Sequence, residues 1–242
     1  MDKILIVIPA YNEEKNIAKV IATIKNHFQN ATIVVINDGS EDKTGKYAQA
    51  AGAKLINLPY NMGYGVALQT GFKYALRNKY QYVIQMDADG QHEPSNIPCL
   101  LKPLFSAEAD VVIGSRFLNN TKYKLSPFKK LGMKIFGFLA SILTGQKVTD
   151  PTSGYQALNM NGLKFYASEY YPVDFPDADV IIMLHRVGLR VKEVPVTMYQ
   201  NPDNMYMHTR LKAVYYIFKM FLSIFVTLLR EDSFEKEILN PQ

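Results

Sequence analysis

The sequence of 242 residues contains one cysteine and no long apolar run. Cys99 has no internal disulfide partner, which favours a reducing compartment such as the cytosol, and we expect it to act as a small packing residue. No stretch reaches the roughly 18 apolar residues of a membrane span, so no spanning helix is predicted. The apolar residues 4–8 end at Pro9 and are too few for a signal peptide, so we expect a buried first strand and no export.

Acidic residues are missing from two blocks of the chain, residues 111–149 and 204–230. The first block contains Arg116 and six lysines, and the whole chain has a net charge of +5. Basic blocks favour an anionic partner, which could be nucleic acid, acidic lipid or a phosphorylated substrate. We expect no nucleic-acid binding, because the basic residues alternate with apolar ridges and no known nucleic-acid module is visible.

Short β-branched runs alternate with helical patterns in the first half of the chain. These runs lie at residues 4–8, 32–36, 53–58, 81–86 and 110–114. Such alternation predicts βαβ units, that is, an α/β fold with a mostly parallel sheet and helices on both faces. Ligands of such folds bind at the carboxyl ends of the strands, so functional residues are expected there.

Two carboxylates one residue apart follow the fourth predicted strand, in the segment Asp87-Ala-Asp89-Gly-Gln91-His92. Mg²⁺ or Mn²⁺ usually takes one or two carboxylates and completes its shell with phosphate oxygens and water. The pair could therefore hold a divalent ion against a nucleotide diphosphate. Surface turns are also rich in Asp and Gly for conformational reasons alone, so a plain turn is the alternative.

Five motifs at strand ends resemble the successive signatures of family 2 glycosyltransferases. They are Pro9-Ala-Tyr-Asn-Glu13, Asn37-Asp-Gly-Ser40-x-Asp42-x-Thr44, Asn61-x-Gly63, Asp87-Ala-Asp89-Gly-Gln91 and Gly114-Ser-Arg116. The resemblance implies a GT-A, Rossmann-like domain over residues 1–200. Its nucleotide-sugar half would be residues 1–115 and its acceptor half residues 116–200.

The same resemblance implies roles for individual residues. Asp38 would read the uracil or guanine edge of a UDP- or GDP-sugar. The other implied donor contacts are Pro9, Ala10, Tyr11, Glu13, Gly63 and Asp87. Asp87, Asp89 and Gln91 are implied as the residues for Mg²⁺ or Mn²⁺, with Asp89 as the main ligand and a catalytic residue.

Two motifs in the second half are similar to those of the dolichol-phosphate-mannose synthase branch and its bacterial polyprenyl-phosphate relatives. They are Asp150-Pro-Thr-Ser-Gly154-Tyr155 and Gly188-x-Arg190-Val-x-Glu193-Val-Pro195. The similarity implies an inverting transfer to a polyprenyl phosphate, for cell-envelope glycan or glycoconjugate synthesis, with Arg116 as a catalytic residue. The implied acceptor contacts are Arg116, Lys129, Lys130, Lys134, Asp150 and Ser153.

The choice of acceptor also has a chemical argument. A phosphate monoester is anionic at neutral pH and needs cations to position it, whereas a hydroxyl must lose its proton to a general base. Many family 2 members that use a hydroxyl acceptor carry a Glu-Asp pair as this base. This chain lacks that pair, which favours the phosphate. The alternative is a family 2 transferase that uses a sugar hydroxyl, with Asp177 or Asp179 as the base.

Two departures from the synthase pattern remove expected cations. Synthases of this branch usually have a basic segment after the last strand, where this chain has residues 200–208, ending at His208. They also often have an arginine after the Ser-Gly of the acceptor motif, where this chain has Gln156. His208 and Arg210 would have to substitute near the phosphate. A catalytically weakened scaffold that docks a membrane partner is the non-enzyme alternative.

The stretch 205–230 is apolar, rich in aromatic residues and bounded by basic ones. Its uninterrupted part after Lys219 is about half of the ~20 residues that a span needs. We expect an amphipathic helix on the membrane surface or on a small membrane protein, with a core helix as the alternative. Apolar residues within 117–143 could form a second membrane-facing ridge.

These features together predict a peripheral enzyme at the cytoplasmic face of a membrane. Self-association is left open, and the acidic tail, residues 231–242, is given no function.

Overall fold

The structure, a computed structural model, describes residues 3–118, 127–172, 177–200 and 210–229. At 127–129 and 210–217 only the backbone is described. His208, the tail 231–242 and the side chains of Lys129 and Arg210 therefore lie outside the described parts of the chain.

Strands and helices alternate along most of the described chain. In order they are β1 (Ile4–Ala10), α1 (Ile17–His27), β2 (Ala31–Asn37), α2 (Thr44–Ala50), β3 (Lys54–Asn57), α3 (Tyr64–Arg77), β4 (Tyr82–Gln85), a 3-10 turn (Pro94–Asn96), α4 (Ile97–Phe105), β5 (Val111–Ser115), α5 (Pro127–Thr144), β6 (Gln156–Leu158), α6 (Met160–Ala167), α7 (Ala178–Arg186), β7 (Val191–Pro195) and α8 (Arg210–Leu229). The five predicted strands coincide with β1 to β5.

The described strands form one sheet in the order β3-β2-β1-β4-β6-β5-β7. Strand β6 runs antiparallel to both of its neighbours, β4 and β5, and the other pairs are parallel. The predicted mostly parallel sheet is therefore confirmed. The carboxyl ends of β1, β2 and β4 lie at one edge of this sheet, because these three strands are adjacent and parallel.

Helices cover both faces of the sheet, as predicted. Successive side chains of a strand point to opposite faces, and β1 is buried along its whole length. Leu5 and Val7 pack with residues of α3, α6 and α7, whereas Ile4, Ile6 and Ile8 pack with residues of α1 and α4. The sheet is thus the middle layer of a three-layer fold.

Three helices of the second half form a separate apolar cluster. It comprises Phe136 and Ala140 of α5, Ala178 and Ile182 of α7, and Met220 and Ile224 of α8. A helix is therefore present at Arg210–Leu229 within the predicted stretch 205–230. Among the helices described here, none is long and apolar enough to cross a membrane.

Cys99 is exposed on α4. Its neighbours Ile97, Leu100 and Leu101 form the buried side of that helix. The prediction that Cys99 acts as a packing residue is therefore wrong, because three buried neighbours place it on the outer side of the helix.

Candidate active site

The loops after β1 and β2 are joined by hydrogen bonds from backbone to side chain. The amide of Asn12 donates to Ser40 Oγ (3.0 Å) and the amide of Glu13 donates to Thr44 Oγ1 (2.7 Å). The two loops therefore form one rim beside the end of the sheet. Pro9 and Ala10, both buried, end β1 below this rim, and the side chain of Tyr11 stands exposed on it.

Asp38 fixes the next loop. Its buried carboxylate accepts hydrogen bonds from the amides of Met62 (2.7 Å) and Gly63 (2.9 Å). Gly39 has a φ of +66°, and a Cβ there would lie 2.3 Å from the backbone of Tyr60. Because both Asp38 oxygens already accept an amide, a nucleobase edge would have to use their remaining lone pairs.

Asp87 and Asp89 lie on the turn that follows β4. The Tyr64 hydroxyl donates to Asp87 Oδ1 (2.8 Å), and the Gln91 amide donates to Asp89 Oδ1 (2.9 Å). Burial raises the pKa of both carboxyls, and for Asp89 the neighbouring charge of Asp87 adds to it. Burial also raises the pKa of Glu13, with contributions from the charges of Asp89 and Asp87. The predicted donor acids thus share one electrostatic environment.

His92 closes the turn as a neutral ring. Its Nδ1 accepts the Asp87 amide (3.1 Å), its Nε2 lies 3.5 Å from Asp87 Oδ2, and the ring stacks on Tyr155 at 4.7 Å. Burial lowers the pKa of His92 to about 4. An acceptor Nδ1 requires the proton on Nε2, so the ring turns its N–H towards the carboxylate of Asp87.

Arg116 follows β5 and pairs with Asp150 through two parallel hydrogen bonds, Nε to Oδ2 and Nη2 to Oδ1, both 2.7 Å. Its Nη2 also donates to Thr152 Oγ1 (2.9 Å). Glu193 on β7 supports the pair, because it accepts the amides of Thr149 and Asp150 (both 2.9 Å). The predicted acceptor motif is therefore tied to the end of the sheet.

Asp150 and Ser153 lie beneath the surface. Asp150 is fully buried, and the buried Ser153 hydroxyl donates to the carbonyl of Gly114 (2.5 Å). Both residues thus stabilise the 149–154 turn. Gln156 is also buried, where it accepts from Tyr166 Oη (2.6 Å). An arginine in its place would enter the interior.

The predicted acceptor lysines belong to α5. Lys130 and Lys134 are exposed there. The helix adjoins the turn that carries Asp150, because the amide of Val148 donates to Ser141 Oγ (2.9 Å). Lys130 and Lys134 therefore lie on a helix that contacts the segment leading into the acceptor motif.

Asp179, one of the two possible bases, is buried between α7 and α8. Its carboxylate accepts hydrogen bonds from Ser223 Oγ (2.5 Å), the amide of Val180 (2.9 Å) and the amide of Asp177 (3.1 Å). Only 1% of the residue is exposed. Burial raises the pKa of this carboxyl.

The family model for glycosyl transferase family 2 matches residues 5–166, which is more than half of the chain. The match includes the rim, the Asp87 turn and the Arg116–Asp150 pair. The chain belongs to glycosyl transferase family 2. The resemblance predicted from the motifs is confirmed, and so is the prediction of a transferase enzyme.

Relatives of this glycosyltransferase include enzymes named for polyprenyl-phosphate substrates. It is 29% identical over 243 residues to the UDP-N-acetylglucosamine–dolichyl-phosphate N-acetylglucosaminyltransferase of Methanococcus voltae, covering 92% of this chain and 96% of that protein. It is 30% identical over 207 residues to the undecaprenyl-phosphate mannosyltransferase of Micrococcus luteus, covering 82% and 84%.

Solved structures agree on the fold. The glucosyl-3-phosphoglycerate synthase of Mycobacterium tuberculosis in complex with phosphoglyceric acid superimposes with a TM-score of 0.72 at 20% identity, covering 96% of this chain and 82% of that one. The same enzyme with Mn²⁺, UDP-glucose and phosphoglyceric acid gives 0.68 at 19% identity, covering 96% and 81%. The predicted α/β, GT-A-like fold class of the glycosyltransferase is confirmed, whereas the amphipathic character of the C-terminal helix stays a prediction.

The acidic turn fits a divalent ion that is shared with a ligand. Within the described ranges, no group of three or more His, Cys, Asp or Glu side chains could hold a metal by itself. Asp87 and Asp89 provide two carboxylates whose charges are buried together, a set of oxygen donors that suits Mg²⁺ or Mn²⁺ only if phosphate and water complete the shell. These two carboxylates therefore suit a divalent ion only together with a further anionic ligand.

Three residues of the site were not given roles from the sequence. Tyr64 donates a hydrogen bond to Asp87, and Gln85 donates one to the Tyr64 hydroxyl. Gly154 lies against the carboxylate, because a Cβ there would be 3.2 Å from Asp87 Oδ2. The available signals were the glutamine within the otherwise apolar run 82–86, directly before Met86, and a tyrosine directly after the Asn61-x-Gly63 motif.

Proposed function

We propose that this glycosyltransferase moves a sugar from a UDP- or GDP-sugar to a polyprenyl phosphate, with inversion at the anomeric carbon and with Mg²⁺ or Mn²⁺. Its relatives from Methanococcus voltae and Micrococcus luteus are named for transfer to lipid phosphates, and a structural neighbour was solved with Mn²⁺ and UDP-glucose. The product would serve cell-envelope glycan or glycoconjugate synthesis.

The donor half supplies the nucleotide-sugar site. Tyr11 and Glu13 stand on the rim beside the Asp87 turn, and Gly63 opens α3 next to it. Asp87, Asp89 and Gln91 would hold the metal ion. A divalent ion at this position neutralises the charge of the departing nucleotide diphosphate.

Arg116 supplies the positive charge of the acceptor half. Burial raises the pKa of Asp87, and the hydrogen bond from Tyr64 and the positive charge of Arg116 partly oppose that rise, so Arg116 acts electrostatically on the acidic turn. Asp150 and Thr152 fix the orientation of the guanidinium. Arg116 would therefore position the acceptor phosphate beside the anomeric carbon, where a phosphate oxygen forms the new bond as the bond to the diphosphate breaks.

The burial of Asp179 is the observation that supports the phosphate acceptor, because it removes one of the two candidate bases. Asp177 is half-buried and remains the base of the hydroxyl-acceptor alternative. A general base must reach the hydroxyl proton directly or through one water. Asp179 instead accepts hydrogen bonds from Ser223, Val180 and Asp177 and has almost no exposed surface. An anionic phosphate acceptor needs no general base, so the burial of Asp179 is compatible with transfer to a phosphate.

Helices α5 and α8 offer a surface for the membrane that contains such a lipid. The two helices are in contact, because the rings of Phe136 of α5 and Phe221 of α8 lie 5.5 Å apart, and both helices carry exposed apolar side chains. The exposed members are Leu131, Phe138, Ile142 and Leu143 of α5, and Phe218, Phe221, Leu222, Phe225, Val226, Leu228 and Leu229 of α8. We call this set the α5–α8 surface.

Charge next to the α5–α8 surface selects the kind of partner. Lys130 and Lys134 are exposed one helical turn apart on α5, beside the apolar stripe that contains Leu131 and Phe138. Apolar side chains bordered by lysines suit a bilayer with anionic headgroups. The enzyme would therefore lie peripherally on the cytoplasmic face, with a small membrane protein as the competing occupant.

Two matched carboxamide variants test the choice of acceptor. Asp89→Asn removes a metal ligand and should abolish transfer to polyprenyl phosphate, whereas Asp179→Asn keeps the hydrogen-bonding shape and should retain most of the turnover. Circular dichroism confirms that both are folded. Loss of transfer in Asp179→Asn, together with transfer to a sugar hydroxyl by the wild type, would replace this proposal with the hydroxyl-acceptor alternative.

A further inference from the structure

A short relay of side chains reaches Asp87 from inside the protein. Gln85 Nε2 donates to the hydroxyl of Tyr64 (3.1 Å), and that hydroxyl donates to Asp87 Oδ1 (2.8 Å). Gln85 ends β4, Tyr64 begins α3, and Asp87 follows two residues after Gln85. The relay thus ties the acidic turn to a rigid strand and a rigid helix.

The direction of the relay follows from its chemistry. An ionised carboxylate only accepts hydrogen bonds, so the Tyr64 proton must point to Asp87. The hydroxyl oxygen then has only lone pairs to offer Gln85, which must present its NH₂ group. The amide of Gln85 is therefore locked in one of its two orientations.

This orientation leaves a polar atom without a partner. Gln85 is 2% exposed, and among the described residues its Oε1 is the one buried side-chain nitrogen or oxygen with no hydrogen-bond partner. An unsatisfied buried acceptor is unfavourable for folding, so a methionine or leucine would suit the strand better. The glutamine is explained if its NH₂ group is needed at Tyr64.

The other side of Asp87 is also confined. His92 Nε2 lies 3.5 Å from Oδ2, and a Cβ on Gly154 would lie 3.2 Å from the same oxygen and 2.9 Å from Tyr64 Oη. Asp87 is thus held between a donor on Oδ1 and a close wall at Oδ2. Such contacts fix a carboxylate rotamer before any ligand arrives.

We propose that Tyr64 is a positioning residue that holds Asp87 in the orientation needed for the metal and diphosphate, with Gln85 as its support. This inference rests on the proposed function, since it assumes that Asp87 contacts the metal. It assigns a task to the first residue of α3 and to the last residue of β4. Residues that orient metal ligands typically change metal affinity by about 10- to 100-fold when mutated.

Three variants and one control test the role. Tyr64→Phe removes the hydroxyl and keeps the ring, Gln85→Met removes the support, and Asp89→Asn removes a metal ligand. Tyr74→Phe is the matched control, because Tyr74 lies on the same helix and its hydroxyl contacts Lys54 instead. Each full-length protein is titrated with Mn²⁺ in the presence of UDP or GDP, and the rise in melting temperature over an EDTA blank is recorded.

We expect Tyr64→Phe to raise the half-maximal Mn²⁺ concentration by about 10-fold or more and Tyr74→Phe to leave it unchanged. Gln85→Met should raise it too, while its melting temperature in EDTA stays equal to or above that of the wild type. A purely structural role would lower that melting temperature and leave the Mn²⁺ midpoint alone.

Two further outcomes have distinct meanings. A Tyr64→Phe midpoint equal to that of a responsive wild type overturns the role of Tyr64 and leaves the proposed function standing. We expect Asp89→Asn to show no Mn²⁺-dependent rise in melting temperature. If the wild type also shows none with either nucleotide, the metal dependence and the role of Tyr64 are overturned together.

Discussion

Arg116 and Asp150 form a two-pronged ion pair across 34 residues of sequence, with 2.7 Å between each donor and acceptor. Asp150 also accepts the amide of Arg116 (2.9 Å), so one fully buried carboxylate holds both the backbone and the side chain of the arginine. The pair joins the end of β5 to the 149–154 turn. The orientation of Arg116 thus depends on a carboxylate that solvent does not reach.

Replacing Asp150 with Asn tests that dependence. The substitution removes the charge that pairs with Arg116, whose side chain is 13% exposed. Removing one partner of a buried pair costs about 3–5 kcal/mol, so urea unfolding should show a loss of that order. A loss below about 1 kcal/mol would mean that the pair is solvated in solution.

Gly154→Ala should impair the site by close contact. The added Cβ would lie 2.9 Å from Tyr64 Oη and 3.2 Å from Asp87 Oδ2, so one of the two side chains must move. We expect turnover to fall by at least about 10-fold, since small displacements of catalytic groups are costly. Gly132→Ala is the control, because its Cβ would meet no atom closer than 4.0 Å. Equal turnover in both variants would contradict the tight packing around Asp87.

Serine at Phe218 and Phe225 tests the α5–α8 surface. These rings are 65% and 58% exposed, so the double variant should fold normally and bind anionic vesicles more weakly. Sedimentation with phosphatidylglycerol vesicles measures the binding, and Leu76→Ser on α3 is the control at another exposed apolar residue. Unchanged vesicle binding would contradict the membrane surface. Binding of a small membrane protein that the double variant alone loses would favour the competing occupant.

The ion pair between Asp110 and Arg190 gives a dependence of stability on pH. Burial of Asp110 opposes its ionisation, but hydrogen bonds from Arg190 and Asn159 outweigh this effect and hold the pKa of Asp110 well below its usual range. The stabilisation is therefore complete above the ordinary pKa of about 3.9 and is lost as the pH falls towards the depressed pKa.

Asp110→Asn should accordingly lower the free energy of unfolding by about 1–3 kcal/mol at pH 7. The difference from the wild type should shrink as the pH falls below about 3.9, because the unfolded wild-type chain then takes up a proton at Asp110 that the native carboxylate does not. Urea titrations at pH 7 and at about pH 2 compare the two. A difference that stays the same at both values would show that the charge of Asp110 contributes no stability.

The sheet was predictable because its strands are local signals. The runs 4–8, 32–36 and 81–86 are mostly apolar and rich in β-branched residues, and each contains a largely buried strand. Strand β6 was not predicted, because Gln156–Leu158 has only three residues and depends on pairing with β4 and β5 on both sides. Its antiparallel direction is set by tertiary contacts alone.

The parts of the site that lie in sequence motifs were predictable. The pattern around Asp87 and Asp89 indicated the acidic turn, but no pattern shows that Asp38 binds the amides of Met62 and Gly63. Burial was also hidden. Asp179 resembles an accessible acid in the sequence, yet it accepts a hydrogen bond from Ser223, 44 residues away.

The central claim is transfer of a sugar to a lipid phosphate. The purified protein is incubated with labelled UDP- and GDP-sugars, polyprenyl phosphate in detergent and Mg²⁺ or Mn²⁺, with EDTA as the control, and the label that enters organic solvent is counted. We predict label in the lipid phase with one donor, dependent on the metal and absent with EDTA. No lipid label with any donor, together with nucleotide release stimulated by a glycan acceptor, would contradict the account.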